Sequence, residues 1–259
     1  MKKHERLSRI KEMLQQENGL PIQTIARHLG VSHMTVRRDL ELLVESNEAK
    51  LIHGGVILAP RGDQHNDGYS PYSLNTAETV MTEEKRRIGI LAAGLIEPQD
   101  TLIIDSGSTT EFLARNIPAD MRLTIICYAL NIISASASLG DCRQVFAGGT
   151  MHENTLMFES PEGLQLIKRH RATKAFVSAA GVHLEFGVTC LNAYERETKR
   201  TVIESSDQKI LLADSSKFGL IRSDYFAELS HFDTVVTDNG VAPHFVEQMH
   251  ELGIRLIFA

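Results

Sequence analysis

The segment Asp105-Ser106-Gly107-Ser108-Thr109-Thr110 carries the densest run of chemistry-bearing side chains in the chain. It follows the apolar run Thr101–Ile104, which reads as a strand, and it precedes a helical pattern. Gly107 lets the chain turn tightly. Three hydroxyls after it then share a helix N-terminus with unpaired backbone N–H groups, where the helix dipole favours an anion. That is chemistry suited to a phosphate. Ordinary N-capping explains one hydroxyl but not the whole cluster. The G-x-x-x-x-G-K-[ST] spacing of a nucleoside-triphosphate loop is missing.

Other expected strand ends are also polar or small: Tyr128 with Asn131, Gly148-Gly149, Ser178 to Val182 with Gly181, and Asp214-Ser215-Ser216-Lys217. Gly149 and Gly181 would allow close backbone approach. Lys217 is either the counter-charge to an anion or an ordinary surface lysine. Glu195 and Lys199, four apart, make either a plain helix salt bridge or a pocket pair. His152, His183 and Cys190 form no H-x-x-x-H or E-x-x-H pair, so no metal site is expected. There is no G-x-S-x-G elbow for a nucleophilic serine.

These positions need elements to hold them. Apolar runs at Thr101–Ile104, Leu123–Cys127, Gln144–Ala147, Ala175–Ser178, Lys209–Ala213, Thr234–Thr237 and Arg255–Phe258 lack polar alternation. They read as strands buried on both faces. Helical stretches lie between most of them, which predicts an α/β domain with a mainly parallel sheet. Such sheets bind ligands at the carboxyl ends of their strands.

The first sixty residues have a different pattern. Leu7, Ile10, Met13 and Leu14 make one helical stripe, and Ile22, Ile25, Ala26 and Leu29 a second, with Pro21 in its first turn. Gly30 ends that helix, and Ser32 caps a third running to about Glu45, with Val36, Leu40 and Leu43 inside. Helix, short turn, helix is either a DNA-binding arrangement whose second helix enters the major groove or a common helical hairpin with Arg37-Arg38 on a solvated face. His33, Thr35, Arg37 and Arg38 can meet bases or phosphates, and Met34 is a candidate for the interior. Two short apolar pieces around Gly54-Gly55 predict a β-hairpin wing, from which Lys50 and His53 would reach phosphates.

Charge follows the same division. The chain has a net charge of −6, but residues 1–61 carry +3 and residues 62–259 carry −9. With 42% hydrophobic and 23% charged residues, disorder is excluded as the main state. No apolar run approaches the length of a membrane span. Three separated cysteines indicate neither a disulfide framework nor a zinc site. The charged N-terminus lacks an apolar signal core, so a cytoplasmic location is expected. Pro60, Gly62, Gly68 and Pro71 break every periodic pattern. The expected organisation is a helix-turn-helix head at 1–58, a linker at 59–81 and an α/β body at 82–259, which the resemblance below makes a DNA-binding domain and an effector-binding, oligomerising domain.

The segments I-A-R-H-L-G-V and S-H-M-T-V-R-R-D-L, with the later G-G-V, resemble the DNA-binding domain of the DeoR family of bacterial transcriptional regulators. D-S-G-S-T-T, F-A-G-G, S-A-A-G-V and D-S-S-K-F-G resemble that family's sensor domain. The resemblance implies an N-terminal winged helix and a C-terminal fold similar to ribose-5-phosphate isomerase. It also implies a double-stranded operator as partner, a phosphorylated sugar as effector, a homo-oligomer, and no cofactor. On the DNA side the implied residues are Ser32, His33, Thr35, Arg37, Arg38, Lys50 and His53. In the pocket, Ser106, Gly107, Ser108, Thr109 and Thr110 would hold phosphate. Asp105, Asn131, Gly149, Gly181, Glu195, Lys199 and Lys217 would line the sugar side. The alternative is a sugar-phosphate isomerase with an N-terminal interaction module, because Asp105, Glu195, Lys199 and Lys217 include acid–base groups.

Overall fold

The computed structural model describes residues 2–17, 19–52, 54–59, 73–74 and 79–259. The N-terminal part holds three helices, α1 (Lys3–Gln16), α2 (Ile22–Leu29) and α3 (His33–Glu45). Each turns one apolar stripe inward: Ile10, Met13 and Leu14 from α1, Ile25 and Ala26 from α2, and Val36, Leu40 and Leu43 from α3. Arg6 of α1 grips the buried Asp39 of α3 through two hydrogen bonds, at 2.7 and 3.0 Å. Ser32 caps α3 by accepting the Thr35 N–H at 3.2 Å.

The expected hairpin is present as β2 (Ala49–Ile52) and β3 (Gly55–Leu58), paired antiparallel from Ala49↔Leu58 to Ile52↔Gly55. A third strand, β1 (Leu20–Pro21), pairs with β3. Pro21 therefore stands before α2, in an edge strand that tolerates its missing N–H, and not in the first helical turn.

After α4 (Thr82–Ala93), seven strands form one parallel sheet: β4 (Thr101–Ile104), β5 (Leu123–Cys127), β6 (Cys142–Phe146), β9 (Ala172–Ser178), β12 (Ser206–Leu212), β14 (Thr234–Thr237) and β15 (Arg255–Phe258). Their order is β15-β14-β12-β9-β4-β5-β6. The helices between them are α5 (Ser108–Arg115), α6 (Leu130–Ser136), α7 (Pro161–Lys168), α8 (Ala193–Glu204) and α9 (Pro243–Glu251). Alternate strand residues enter two cores. Leu102 and Ile104 pack with Ile88 of α4, Leu113 of α5 and Ile132 of α6. Ile103 packs with Ile167 of α7, Val202 of α8 and Met249 of α9. Coverage on both faces explains the unbroken apolar runs, each fully buried side chain contributing roughly 1.5–3 kcal/mol.

Two small antiparallel sheets were not expected. β7 (Thr150–His152) and β8 (Met157–Glu159) form a hairpin whose Phe158 N–H donates to Tyr128 O at 2.7 Å, beyond the end of β5. β10 (Gly181–His183), β11 (Gly187–Cys190) and β13 (Asp224–Ala227) form a separate three-stranded lobe. Most of the expected linker lies outside the described residues, but Leu74 is buried and its N–H donates to Asn154 O at 2.8 Å.

Candidate functional site

Connections leave β4 toward β5 on one side, while β9 continues to β12 on the other. The order of the sheet thus reverses between β4 and β9. Loops diverge at such a point and leave a crevice at the carboxyl ends of the strands. Asp105, directly after β4, and Ser178, the last residue of β9, meet there. Asp105 is fully buried. Its Oδ2 accepts the Ser178 N–H at 2.8 Å, the Ser178 hydroxyl at 3.0 Å and the Lys199 ammonium. Its Oδ1 accepts the Ser106 N–H at 2.8 Å and the Tyr128 hydroxyl.

Lys199 reaches this point from α8, whose N-terminal turn also carries Glu195. Their side chains lie one turn apart on the same face, with Lys199 Nζ 3.9 Å from Glu195 Oε2. Burial works against the charge on Lys199, but Asp105 and Glu195 outweigh it and hold its pKa above the usual value. Burial pushes the Glu195 carboxyl up, partly offset by Lys199. Glu195 Oε1 accepts two hydrogen bonds from Asn192, from its N–H at 3.1 Å and its Nδ2 at 2.7 Å. Burial and the neighbouring Asp105 raise the Tyr128 phenol well above its ordinary range. The salt bridge and the pocket pair were alternatives for Glu195 and Lys199. The geometry shows both features together, with Asp105 as the closer partner of the lysine.

The hydroxyl loop lies beside this network. Gly107 has φ 140°, and a Cβ there would come within 3.0 Å of the Ser178 hydroxyl. A side chain would thus be strained and crowded at that position. Ser108, Thr109 and Thr110 form the first turn of α5. The Thr110 hydroxyl donates to Gly107 O at 3.0 Å, so its proton serves the loop itself. Among the described residues the Ser108 and Thr109 hydroxyls have no hydrogen-bond partner. Asn131 closes the far side. Its Nδ2 donates to Gly107 O at 3.2 Å and to Glu111 Oε2 at 2.9 Å, while its buried Oδ1 has no partner. Reversing the amide would face its oxygen with two acceptors, so the unpartnered atom is the acceptor. Glu111, buried on α5, is a member of this cluster that sequence reasoning missed. The sequence marks Tyr128 and Ser178 only as polar groups at strand ends.

Three expected pocket residues make no hydrogen bond or ion pair with the network. Gly149 turns the chain into the β7–β8 hairpin, where a Cβ would strike Glu159 O, and it lines a separate hollow with Ser160, Glu162 and Arg169. Gly181 packs against Leu220 O and Thr189. Lys217 sits in a short 3-10 turn after β12 and bonds at home, 3.6 Å from Asp214 Oδ2 and 3.2 Å from Ser216 Oγ. Closeness in the family motif does not translate into contact for these three.

The second candidate surface is α3. His33, Met34, Arg37 and Arg38 are exposed on the face opposite Val36, Leu40 and Leu43. A shallow groove between α2 and α3 is lined by Gln23, Arg27, Ser32 and His33. Thr35 is half-buried, its hydroxyl 2.9 Å from that of Ser32. Met34, a candidate for the interior, is 60% exposed, which places an apolar group where a thymine methyl can meet it. Lys50 departs further from expectation. Its ammonium lies 3.9 Å from Asp224 of the β10–β11–β13 lobe, a carboxylate that competes with any phosphate. His53 lies outside the described residues. Among the described residues no helix is long and apolar enough to cross a membrane, and no three His, Cys, Asp or Glu side chains cluster as metal ligands.

Comparison with known proteins covers both parts of the chain. Residues 6–61 match the DeoR-like helix-turn-helix domain, and residues 80–239 match the DeoR C terminal sensor domain. The chain is 33% identical over 257 residues to the deoxyribose operon repressor of Escherichia coli (strain K12), covering 99% of each protein. It is 29% identical over 255 residues to the HTH-type transcriptional regulator GolR of Listeria innocua, covering 98% of each. Ribose 5-phosphate isomerase A from Methanocaldococcus jannaschii superposes on 53% of the chain and 55% of its own, with 12% identity and a TM-score of 0.39. That likeness is too slight to carry an argument, and the fold rests on the strand order given above. A helix-turn-helix with an exposed cationic face and a sensor domain with its polar cluster at the sheet's switch point, matched along the whole chain, place it in the DeoR family of DNA-binding transcriptional regulators.

Proposed function

We propose that this chain is a repressor of a sugar or nucleoside catabolic operon, released from its operator by a phosphorylated sugar. The observation that carries the reading is the combination at the switch point. Two free hydroxyls at the start of α5 adjoin a buried acceptor, Asn131 Oδ1, that lacks a donor. The helix N-terminus with Ser106 to Thr110 suits a phosphate. Asn131 Oδ1 suits a sugar hydroxyl, since a buried unsatisfied acceptor costs about 1–3 kcal/mol. The name of the E. coli relative, and the likeness of Cys127-Tyr128-Ala129-Leu130-Asn131 to the deoxyribonucleoside-operon repressor, favour a pentose derivative.

In this reading residues 1–58 bind DNA through Ser32, His33, Thr35, Arg37 and Arg38, residues 59–81 link, and residues 82–259 sense and assemble. Assembly into a homo-oligomer lets several heads engage one operator, which multiplies effective concentration. The effector acts by binding more tightly to a DNA-incompetent arrangement. A cytoplasmic, non-enzymatic role follows. Asp105 and Lys199 neutralise one another, which suits a binding pocket better than proton transfer.

Titration calorimetry of the full chain with ribose 5-phosphate, 2-deoxyribose 5-phosphate and inorganic phosphate tests this, alongside DNA binding with and without each ligand. Saturable binding of a sugar phosphate that weakens DNA binding is expected. Isomerisation of ribose 5-phosphate that is lost in an Asp105→Asn variant would replace this reading with the enzymatic one.

A further inference from the structure

The wing does not project freely from the head. Ile57 of β3 is buried against Phe186 and Ile221 of the sensor domain, and Ile52 of β2 packs on the same cluster. At Gly55 a Cβ would come within 2.5 Å of the Phe186 ring, so the aromatic edge sits directly on the backbone of the wing. Gly54, in the turn of the hairpin, is also within 4.0 Å of that ring, measured from the place of a Cβ. Beside the apolar contact, Lys50 of β2 faces Asp224 at 3.9 Å. The sensor side of this contact is the β10–β11–β13 lobe. Phe186 lies in its first turn, held because His183 Nδ1 accepts the N–H groups of Glu185 and Phe186, at 3.1 and 3.3 Å.

The same lobe touches the pocket helix. Glu195 and Lys199 occupy one face of α8, and Arg196 and Arg200, one position on, occupy the next. Arg196 lies 3.8 Å from Asp224 Oδ1, and Arg200 donates to Tyr225 O at 3.3 Å. Lys199 itself lies over the Phe226 ring at 5.4 Å. Three consecutive residues of β13 are therefore read by α8, and the first of them is also the carboxylate that faces the wing. Arg196 and Arg200 thus connect α8 to the strand that carries Asp224.

We propose that the β10–β11–β13 lobe is a clasp for the wing of the same chain, that the clasped wing is the DNA-incompetent arrangement, and that a ligand in the pocket favours it through α8. The coupling half rests on the pocket assigned above, and the clasp itself does not. With the wing clasped, its turn is covered by Phe186 and its one described lysine is paired with a carboxylate. The contacts by which a wing reaches the DNA backbone are then withheld, while the α3 face stays open. Duplex DNA and Asp224 compete for Lys50. The ligand and the DNA act through opposite states of one interface, which makes each weaken the other by the same factor.

The test uses the full chain and four probes. Hydrogen exchange follows the amides of residues 49–58. A 30-base-pair random-sequence duplex reports on the phosphate contacts, and ribose 5-phosphate and 2-deoxyribose 5-phosphate report on the pocket. In Asp224→Asn and Phe186→Ala the amides of 49–58 should exchange faster while those of α1 to α3 stay as in the parent. Duplex affinity should rise about five-fold or more. For Asp224→Asn the salt slope should also steepen by about one, as Lys50 gains a phosphate. Arg196→Gln, outside the pocket face of α8, removes the competing cation from Asp224 and should slow exchange of 49–58. Saturating sugar phosphate should slow exchange of 49–58 in the parent and not in Asp224→Asn. Unchanged exchange in both lobe variants, or loosened wings with parental duplex affinity, overturns the clasp. A parental wing in Arg196→Gln overturns the coupling even if neither sugar phosphate binds. Absence of sugar-phosphate binding, by itself, strikes the effector assignment and leaves the duplex experiments to judge the clasp.

Discussion

The two functional surfaces are built on opposite principles. On α3 three of the side chains that would meet DNA hold nothing together: His33, Arg37 and Arg38 are exposed and make no ion pair among the described residues, whereas Ser32 also caps the helix. The head is stabilised by a different set, the apolar stripe of Val36, Leu40 and Leu43 and the Arg6–Asp39 pair. At the switch point of the sheet the groups that define the pocket are also its frame. Asp105 ties β4 to β9, to Tyr128 beyond β5 and to Lys199 on α8, all within the protein interior. The contacts at His33, Arg37 and Arg38 can therefore change without cost to the fold. Pocket chemistry can change cheaply only at its rim, at Ser108 and Thr109.

The sharpest way to break this contrast is at the centre of the pocket. Lys199→Met leaves Asp105 buried without its cation. Removing one partner of a buried ion pair costs about 3–5 kcal/mol. Urea unfolding followed at the sensor domain should show a loss of that size, together with loss of ligand binding. A variant that keeps parental stability would show that Asp105 is satisfied by Ser178, Ser106 and Tyr128 alone, and that the frame and the pocket are separable.

Next in size is the rim. Ser108→Ala with Thr109→Ala removes two hydroxyls that bond nothing else among the described residues. Each hydrogen bond to a charged group is worth about 1.5–3 kcal/mol, so sugar-phosphate affinity should fall by a factor of about 100 or more. Unfolding stability and duplex binding without ligand should stay near the parent. Equal losses in stability and ligand binding would make these hydroxyls part of the frame after all.

On α3 the expected effect is smaller and purely electrostatic. Arg37→Ala or Arg38→Ala should weaken duplex binding and reduce its salt slope by about one. Stability should move by no more than about 0.5 kcal/mol, the usual range for exposed positions. Parental salt slopes in both variants would remove α3 from the DNA interface.

The contrast also explains what the sequence could reveal. The two faces of α3 are separated by helical period alone, so Val36, Leu40 and Leu43 mark the inside and Arg37 and Arg38 the outside. The five inner parallel strands announce themselves because burial on both faces removes polar alternation, and the edge strands β6 and β15, though more exposed, keep apolar runs. The Asp105-to-Thr110 loop is local, and its hydroxyls can be read from composition and position. The Asp105–Lys199 contact spans 94 positions, and only the strand order brings it about. Glu111 looks like an ordinary first-turn acid until Asn131 arrives from the next helix. Strands as short as Gly181–His183 carry too few residues to show a period, so the lobe was invisible. Lys50 was assigned to phosphate because nothing local hints that Asp224 faces it.

The smallest expected effect concerns the lobe, which belongs to neither surface yet touches the wing and the pocket helix. The His183 ring can accept two backbone N–H groups at Nδ1 only while that nitrogen is unprotonated. Burial lowers its pKa, against the opposing pull of Glu185 and of Glu17 from the head. A histidine with a depressed folded-state pKa resists a proton that the unfolded chain accepts. Its contribution is thus intact above the ordinary histidine value of about 6.5 and is lost as the pH falls below it. Between pH 7.5 and 5.5 the parent should lose thermal stability in the sensor domain, and amides 185–190 should exchange faster at the lower pH after correction for intrinsic rates. His183→Gln keeps an acceptor but has no proton to gain, so its losses over the same interval should be smaller. The difference between the two proteins isolates this ring from the other titrating groups. Identical pH dependence in parent and variant would mean that the turn carrying Phe186 is held by packing alone, and that acid leaves the grip on the wing unchanged.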